Sequence, residues 1–450
     1  MVLKISILGI IIINLILFSL VTQRRLFSFV NKILILFVIT TQIPIGYVIL
    51  LKGMDIPITT SYFFSLVFIF LLIIFILCCS KINLPFKTAV YMFLFFLICV
   101  FSTIALAVHP PDVLVFPIAR EGVDSLIPAS ISIKQPQELI RLLLFIVIFV
   151  MFYNFPKEKQ SRIKLIKILL VVIVIHSIYG FIEKYMLFPI GAGKHREILA
   201  NFVGGWLYSY SIITPLRAGS FTISGFTSEP SAFAMIIGVG AGLLTYCVFW
   251  GEKIFTKRIY DIVSLVIVLS ALVLSGSTTG TITILVIFIL LVFFSLVKKR
   301  NLRLIFGSLL TMFLIGLFFR KYFTYQWEKL LIEMSYTMPY SRIMTMKYAI
   351  DVFKSSPLIG VGFGTSNSFS SLTVLLANSG IIGTVFYILF YFSIVIKLFK
   401  RDTLILFQAV GFSLVAYFIV GIFSGGFPQI LNPEVWMLLG IVAKRELNNE

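Results

Sequence analysis

The chain has 450 residues, of which 60% are hydrophobic and 12% charged, and 47 are phenylalanine. A soluble fold carries about twice that share of charge, so the composition excludes a soluble enzyme, a disordered chain and a fibrous protein. The formal net charge of +19 reads as lysines and arginines at membrane surfaces rather than a nucleic-acid footprint.

The composition predicts an all-α, polytopic transmembrane helix bundle forming a single integral membrane domain over 1–450. Apolar runs fall near 4–22, 33–51, 60–79, 88–107, 139–154, 168–189, 230–250, 259–275, 281–297, 304–319, 369–396, 404–424 and 428–443. That is about thirteen spans, within roughly 11–14. Gln23-Arg24-Arg25 follows the first run where a cleaved signal would have small residues, so that run is expected to be retained. Asn432, Pro433 and Glu434 interrupt the last.

Short basic segments set the orientation. They hold Arg24, Arg25 and Lys32; Lys81 and Lys87; Lys157, Lys159, Arg162, Lys164 and Lys167; Lys253, Lys257 and Arg258; Lys298, Lys299, Arg300 and Arg303; Lys397, Lys400 and Arg401; and Lys444 and Arg445. The positive-inside rule makes this face cytoplasmic. The long loops, approximately 108–138, 190–229 and 320–368, then lie together on the outer side. Long ordered loops carry function more often than short ones, so the working face is expected there. Neither a nucleotide-binding motif nor an internal repeat is present.

Cys78, Cys79, Cys99 and Cys247 sit in or beside apolar runs without metal-ligand spacing, and three scattered histidines make no cluster. No metal or other cofactor is expected. In 217–234, Pro230 suits the first turn of a helix, with Ser228 or Thr227 available as its cap. Glu229 then stands at the positive end of that helix, near Arg217 in sequence. Residues 274–280, Leu-Ser-Gly-Ser-Thr-Thr-Gly, form either a tight turn or a set of hydroxyls and amides facing an anion. Residues 342–354 place Ile343, Met346, Ala349, Ile350 and Phe353 at helical spacing, the pattern of an amphipathic interfacial helix. Its cations Arg342, Lys347 and Lys354 are either anchors or ligands. Gly360, Gly362 and Gly364 permit a strained turn before the next span. Arg120, Glu121 and Asp124 mark the first long loop, and Lys194, His195 and Arg196 the second. His176 and Glu183 are ionisable residues at or near membrane depth.

Three of these blocks, Arg217–Ala234, Leu274–Gly280 and Arg342–Gly364 continuing to Ser379-Gly380-Ile381-Ile382-Gly383, resemble the O-antigen polymerase and ligase family of envelope glycosyltransferases. The Glu-Pro-Ser and Ser-Thr-Thr-Gly forms are more like the polymerase branch. Ligases of the family carry a histidine in the last large outer loop, and no histidine follows His195 here. The resemblance implies an inner-membrane enzyme that joins oligosaccharide repeat units carried on undecaprenyl pyrophosphate, at the periplasmic face. Its implied partners are those lipid-linked glycans, membrane lipids and a polysaccharide chain-length regulator, with no nucleic acid.

Breaking a sugar–pyrophosphate bond adds negative charge to an anionic leaving group, which fixed guanidinium forks stabilise. Arg217 and Arg342 are the candidates for that role, with Lys347 behind them. Glu229 is the candidate base for the acceptor hydroxyl, or an ion-pair partner that orients Arg217. Ser275, Ser277 and Thr278 are expected to contact phosphate or sugar, and Arg120, Ser231 and Gly362 complete the binding set. Without a carboxylate cluster, metal-independent transfer is expected. The rival readings are a flippase or transporter of lipid-linked oligosaccharide and an O-antigen ligase. Transporters are often built from two related halves, which this chain does not show.

Overall fold

The computed structural model describes residues 2–5, 7–22, 26–42, 47–52, 56–77, 82–116, 126–187, 216–217, 220–227, 229–297, 342–400 and 403–444, with isolated positions between 307 and 328. Its helices are α1 (Ile7–Thr22), α2 (Leu26–Thr40), α3 (Thr60–Leu77), α4 (Phe86–Val108), α5 (Lys134–Asn154), α6 (Lys159–Ile182), α7 (Pro230–Trp250), α8 (Arg258–Leu274), α9 (Thr278–Val297), α10 (Arg342–Ser355), α11 (Ser371–Leu398), α12 (Ile405–Ser424), α13 (Phe427–Ile430) and α14 (Pro433–Ala443). A π-helical turn, Glu183–Leu187, prolongs α6. Within the described residues, α3 to α7, α9, α11 and α12 make 8 helices long and apolar enough to cross a membrane. Helices suit that setting because each satisfies its own backbone where no water can. The architecture fits an all-α, multi-pass membrane protein.

The expected run at 33–51 is not one helix. α2 stops at Thr40, where the Thr40 and Thr41 hydroxyls bond back to the carbonyls of Phe37 and Val38. Pro44 and Gly46 follow in the sequence, and Tyr47–Lys52 is instead the middle strand of an antiparallel sheet between Val2–Ile5 and Ile56–Thr59. A proline without an amide and a helix-weakening glycine divide the run. The run at 428–443 is also divided, into α13 and α14, where Asn432 caps the second piece by accepting the Glu434 amide at 2.9 Å. The run at 304–319 lies outside the described residues, apart from a few isolated positions.

Small residues set the centre of the bundle. On α7, Gly238 lies against Thr283, Gly240 against Ile173 and Gly242 against the backbone of Ser413. The Ser413 hydroxyl, on α12, donates to the Val239 carbonyl at 2.5 Å. Such close backbone approach is how helices associate when surrounding lipid is as apolar as their side chains. α7 therefore packs on α8, α9 and α12, while α11 packs on α4 and α14 on α5.

α11 is broken at Gly380, which has φ 61° and ψ −171°. The segment before it in the chain fills the gap. Ile381 and Ile382 amides donate to the Pro357 and Leu358 carbonyls at 2.9 and 3.3 Å, and the Val361 amide donates to Ala377 O at 2.9 Å. Gly360, Gly362 and Gly364 all have positive φ, as the strained-turn reading anticipates. Asn378 secures the crossing from within. Its Oδ1 accepts the Thr365 and Ser366 amides, both at 2.8 Å, and its Nδ2 donates to the Ser366 and Val374 carbonyls at 2.7 Å.

The two ends of the bundle differ in chemistry. Asn83, Lys157, Lys397, Lys400 and Lys444 line one cavity, which gathers four of the basic segments at one end. Arg162 donates to the Lys444 carbonyl there at 3.0 Å. The helices run on from these segments to the opposite end, where 222–227, Glu229, 274–280, Arg342 and 356–370 lie.

Candidate active site

Two turns make the floor of the opposite end. After the two-residue hairpin pairing Leu216–Arg217 with Ser220–Phe221, the chain enters the loop 222–227. The Ile223 amide donates to the Leu274 carbonyl at 3.4 Å. A side chain on Gly276, whose φ is 64°, would collide with Thr222. The loop and the turn between α8 and α9 are therefore packed against each other.

The hydroxyls of that turn are buried and locally engaged. Ser275 donates to the Leu272 carbonyl at 2.7 Å, finishing α8. Ser277 accepts the Gly280 amide at 3.0 Å, capping the N-terminus of α9. Thr278 is the first residue of that helix and also buried. The positive end of the α9 dipole thus points into the site.

Arg342, the first residue of α10, reaches the same place from far along the chain. Its Nη1 donates to the Ser424 hydroxyl at 2.7 Å, and Ser424 shares a 2.6 Å hydrogen bond with Thr279 in the first turn of α9. Its guanidinium carbon lies 5.1 Å from the centre of the Phe369 ring, a cation–π distance. Ser424 is the last residue of α12. The following Gly425 amide donates to the Phe369 carbonyl at 3.1 Å, so both groups that hold Arg342 are tied to one another. A half-buried guanidinium beside a helix N-terminus is an anion-binding arrangement.

α10 is a helix, as its spacing predicts, but its buried stripe is Thr345, Ala349 and Val352. Ile343 and Ile350 are exposed. The small residues let α10 close onto α11, which turns the larger apolar chains outward. Lys347 is exposed, and Lys354 pairs with Asp351 at 2.9 Å.

Glu229 occupies the N-cap position of α7, with Pro230 first in the helix, but its side chain makes no capping bond. Its carboxylate accepts from Ser231 at 2.5 Å. Thr227 does not cap the helix either. Its hydroxyl is directed to the Ser224 and Glu229 carbonyls at 2.7 and 2.8 Å and closes the loop. Gly362 lies in the turn above Leu106, its amide donating to Ser102 at 2.7 Å. Ser228, the Arg217 side chain and Arg120 lie outside the described residues, as do Glu121, Asp124, Lys194, His195 and Arg196.

His176 and Glu183 shape the loop from behind. Both are buried. Glu183 Oε2 accepts the Ser224 and Gly225 amides at 3.1 and 2.8 Å. His176 Nε2 accepts the Phe226 amide at 3.0 Å, which puts the ring proton on Nδ1, 3.2 Å from the Gln42 side-chain oxygen. Gly225, with φ 54°, lies so close to the His176 ring that any side chain there would collide with it. One carboxylate and one imidazole thus satisfy three successive amides of the loop that leads to Glu229. Sequence reading marks these two as ionisable groups at depth but not as a cradle. It does not mark Ser424 or Phe369, for which the available signal is Ser424-Gly425-Gly426 ending an apolar run.

Residues 263–372, spanning most of α8, the 274–280 turn, α9, α10 and the glycine turn, match the family model described as O-Antigen ligase. This stretch is similar to the O-antigen ligase family. This agrees with the resemblance to the O-antigen ligase and polymerase family, a class of membrane glycosyltransferase-like enzymes. The O-antigen-ligase-like stretch contains Arg342 and Thr279 but neither Arg217 nor Glu229. Among curated proteins none matches the chain.

Proposed function

We propose that this chain polymerises oligosaccharide repeat units carried on undecaprenyl pyrophosphate into O-antigen or a related surface polysaccharide. The site would face the periplasm of the bacterial inner membrane, since it lies at the end of the bundle away from the lysine-rich segments. The observation that carries the reading is the guanidinium of Arg342 held beside the N-terminus of α9 through Ser424.

In the reaction the acceptor hydroxyl oxygen attacks the donor's anomeric carbon. The bond from that carbon to the pyrophosphate oxygen breaks, and the electron pair leaves with the lipid pyrophosphate. Arg342, Arg217 and the α9 dipole stabilise the departing oxyanion. Glu229, at the membrane-edge start of α7, takes the hydroxyl proton. Ser275, Ser277 and Thr278 shape the anion site through the turn they hold, and Ser231 orients the Glu229 carboxylate. Lys347, which is exposed, and Arg120 would contribute to the surrounding glycan-binding surface, and Gly362 would support it through the turn it holds. Charge stabilisation is assigned to guanidinium groups and a helix end, so the transfer is metal-independent.

The O-Antigen ligase description of the matched stretch favours a second reading, transfer of finished glycan to a different acceptor. A deletion strain separates the two. Loss of a polymerase leaves a single repeat unit on the surface lipid, whereas loss of a ligase or a flippase leaves none. The polymerase reading predicts the single unit, and bare surface lipid would overturn it.

A further inference from the structure

Far from the candidate active site, the basic end of the bundle encloses a cavity of about 820 Å³. Lys157, Lys397, Lys400 and Lys444 line it, with Asn83, Tyr153 and Asn154 among the polar groups and Phe75 and Pro85 on the apolar wall. No carboxylate lines it among the described residues.

The lysines come from different parts of the chain. Lys157 lies between α5 and α6, Lys397 near the end of α11, Lys400 just beyond it, and Lys444 after α14. A lysine at a helix C-terminus complements that helix's dipole. That accounts for one lysine at each end, but not for their convergence on a shared void. Like charges around a concave surface raise its potential and concentrate anions there. The asparagines add directional groups. The Asn154 side-chain oxygen accepts the Asn83 amide at 2.9 Å and fixes this rim. The lining thus combines cations, polar groups and hydrocarbon, the mixture that a lipid headgroup and its first acyl carbons would need. Basic pockets between helix ends on the cytoplasmic side suit anionic lipid headgroups.

We propose that this cavity binds the phosphate headgroup of an anionic phospholipid of the cytoplasmic leaflet, with the lysine ammonium groups around the phosphate and the Phe75–Pro85 wall against its glycerol and upper acyl region. The proposal rests on the positive-inside orientation and is independent of the transfer reaction.

The test is thermal unfolding of the purified full chain in phosphatidylcholine nanodiscs, with and without phosphatidylglycerol. Wild type should gain about 3 °C or more from phosphatidylglycerol. The double variant Lys397→Gln/Lys400→Gln should lose that gain, while Lys253→Gln/Lys257→Gln, which removes as much charge elsewhere on the basic face, should keep it. The midpoint in phosphatidylcholine alone reports whether each variant folds, and Lys157→Gln/Lys400→Gln replaces the first if it does not. A gain retained by the cavity variants, or no gain in wild type, overturns the proposal. An equal gain from inorganic phosphate in phosphatidylcholine nanodiscs also overturns it, by showing a site for soluble anions.

Discussion

Arg342 and Ser424 lie 82 positions apart in the chain and are joined by a 2.7 Å hydrogen bond at the end of the bundle away from the lysine-rich segments. Through Ser424 the guanidinium is tied to Thr279, and so to the N-terminus of α9. If this contact only orients Arg342, Ser424→Ala should keep the charge and lose its fixed direction. One hydrogen bond to a charged group contributes about 1.5–3 kcal/mol, so turnover should fall by roughly 10-fold or more. Steady-state transfer assays check this, with the thermal midpoint measured alongside.

Glu183 should matter for the loop and not for the chemistry. Its carboxylate satisfies two buried amides, and leaving each unpaired costs about 1–3 kcal/mol. Glu183→Ala should therefore lower the midpoint and open 222–227 to proteolysis or hydrogen exchange. Glu183→Gln, which keeps an acceptor oxygen, should recover part of both. Hydrogen exchange at Ser224, Gly225 and Phe226 reads the effect directly.

The crossing at Gly360 and Gly380 should tolerate nothing larger. A methyl on Gly360 would meet the backbone at Asn378 and Ser379, and one on Gly380 would meet the backbone at Leu358 and Ile359. Backbone cannot move aside as a flexible side chain does. Gly360→Ala and Gly380→Ala should each fail to give a monodisperse protein. Gly251→Ala has the same kind of positive-φ penalty, about 1–2 kcal/mol, but nothing within 4 Å, and should fold. Size-exclusion profiles of the three variants make the comparison.

Arg217 separates charge from geometry. If charge dominates, Arg217→Lys should retain far more transfer than Arg217→Ala. If the planar fork is needed, the two variants should be similarly impaired. Wild-type turnover in both would remove Arg217 from the site.

Much of the bundle was legible because a chain that must bury its backbone in lipid writes long apolar runs. α3, α4, α7 and α12 fall within a few residues of the runs that anticipate them. The failures have physical causes. Pro44 and Gly46 divide a run whose mean hydropathy stays high, so a sliding window passes over them. On α10 the periodicity marks an apolar stripe but cannot say whether protein or lipid meets it. Thr345 and Ala349, being small, win the protein side. The cradle of His176 and Glu183 joins residues 41 to 50 positions apart, and Arg342 finds Ser424 only through the fold. Residue types can nominate such groups, but their pairing is set by helix packing that no local pattern encodes.

The proposed transfer depends most on Arg342 stabilising the leaving pyrophosphate. Its most direct test is single-turnover transfer by Arg342→Ala and Arg342→Lys with purified lipid-linked repeat units, in preparations whose thermal midpoints match wild type. Loss of one preorganised donor to a developing oxyanion costs about 100- to 1,000-fold in rate, and a fall of that size in Arg342→Ala is predicted. Polymer formed by folded Arg342→Ala at the wild-type rate would contradict it.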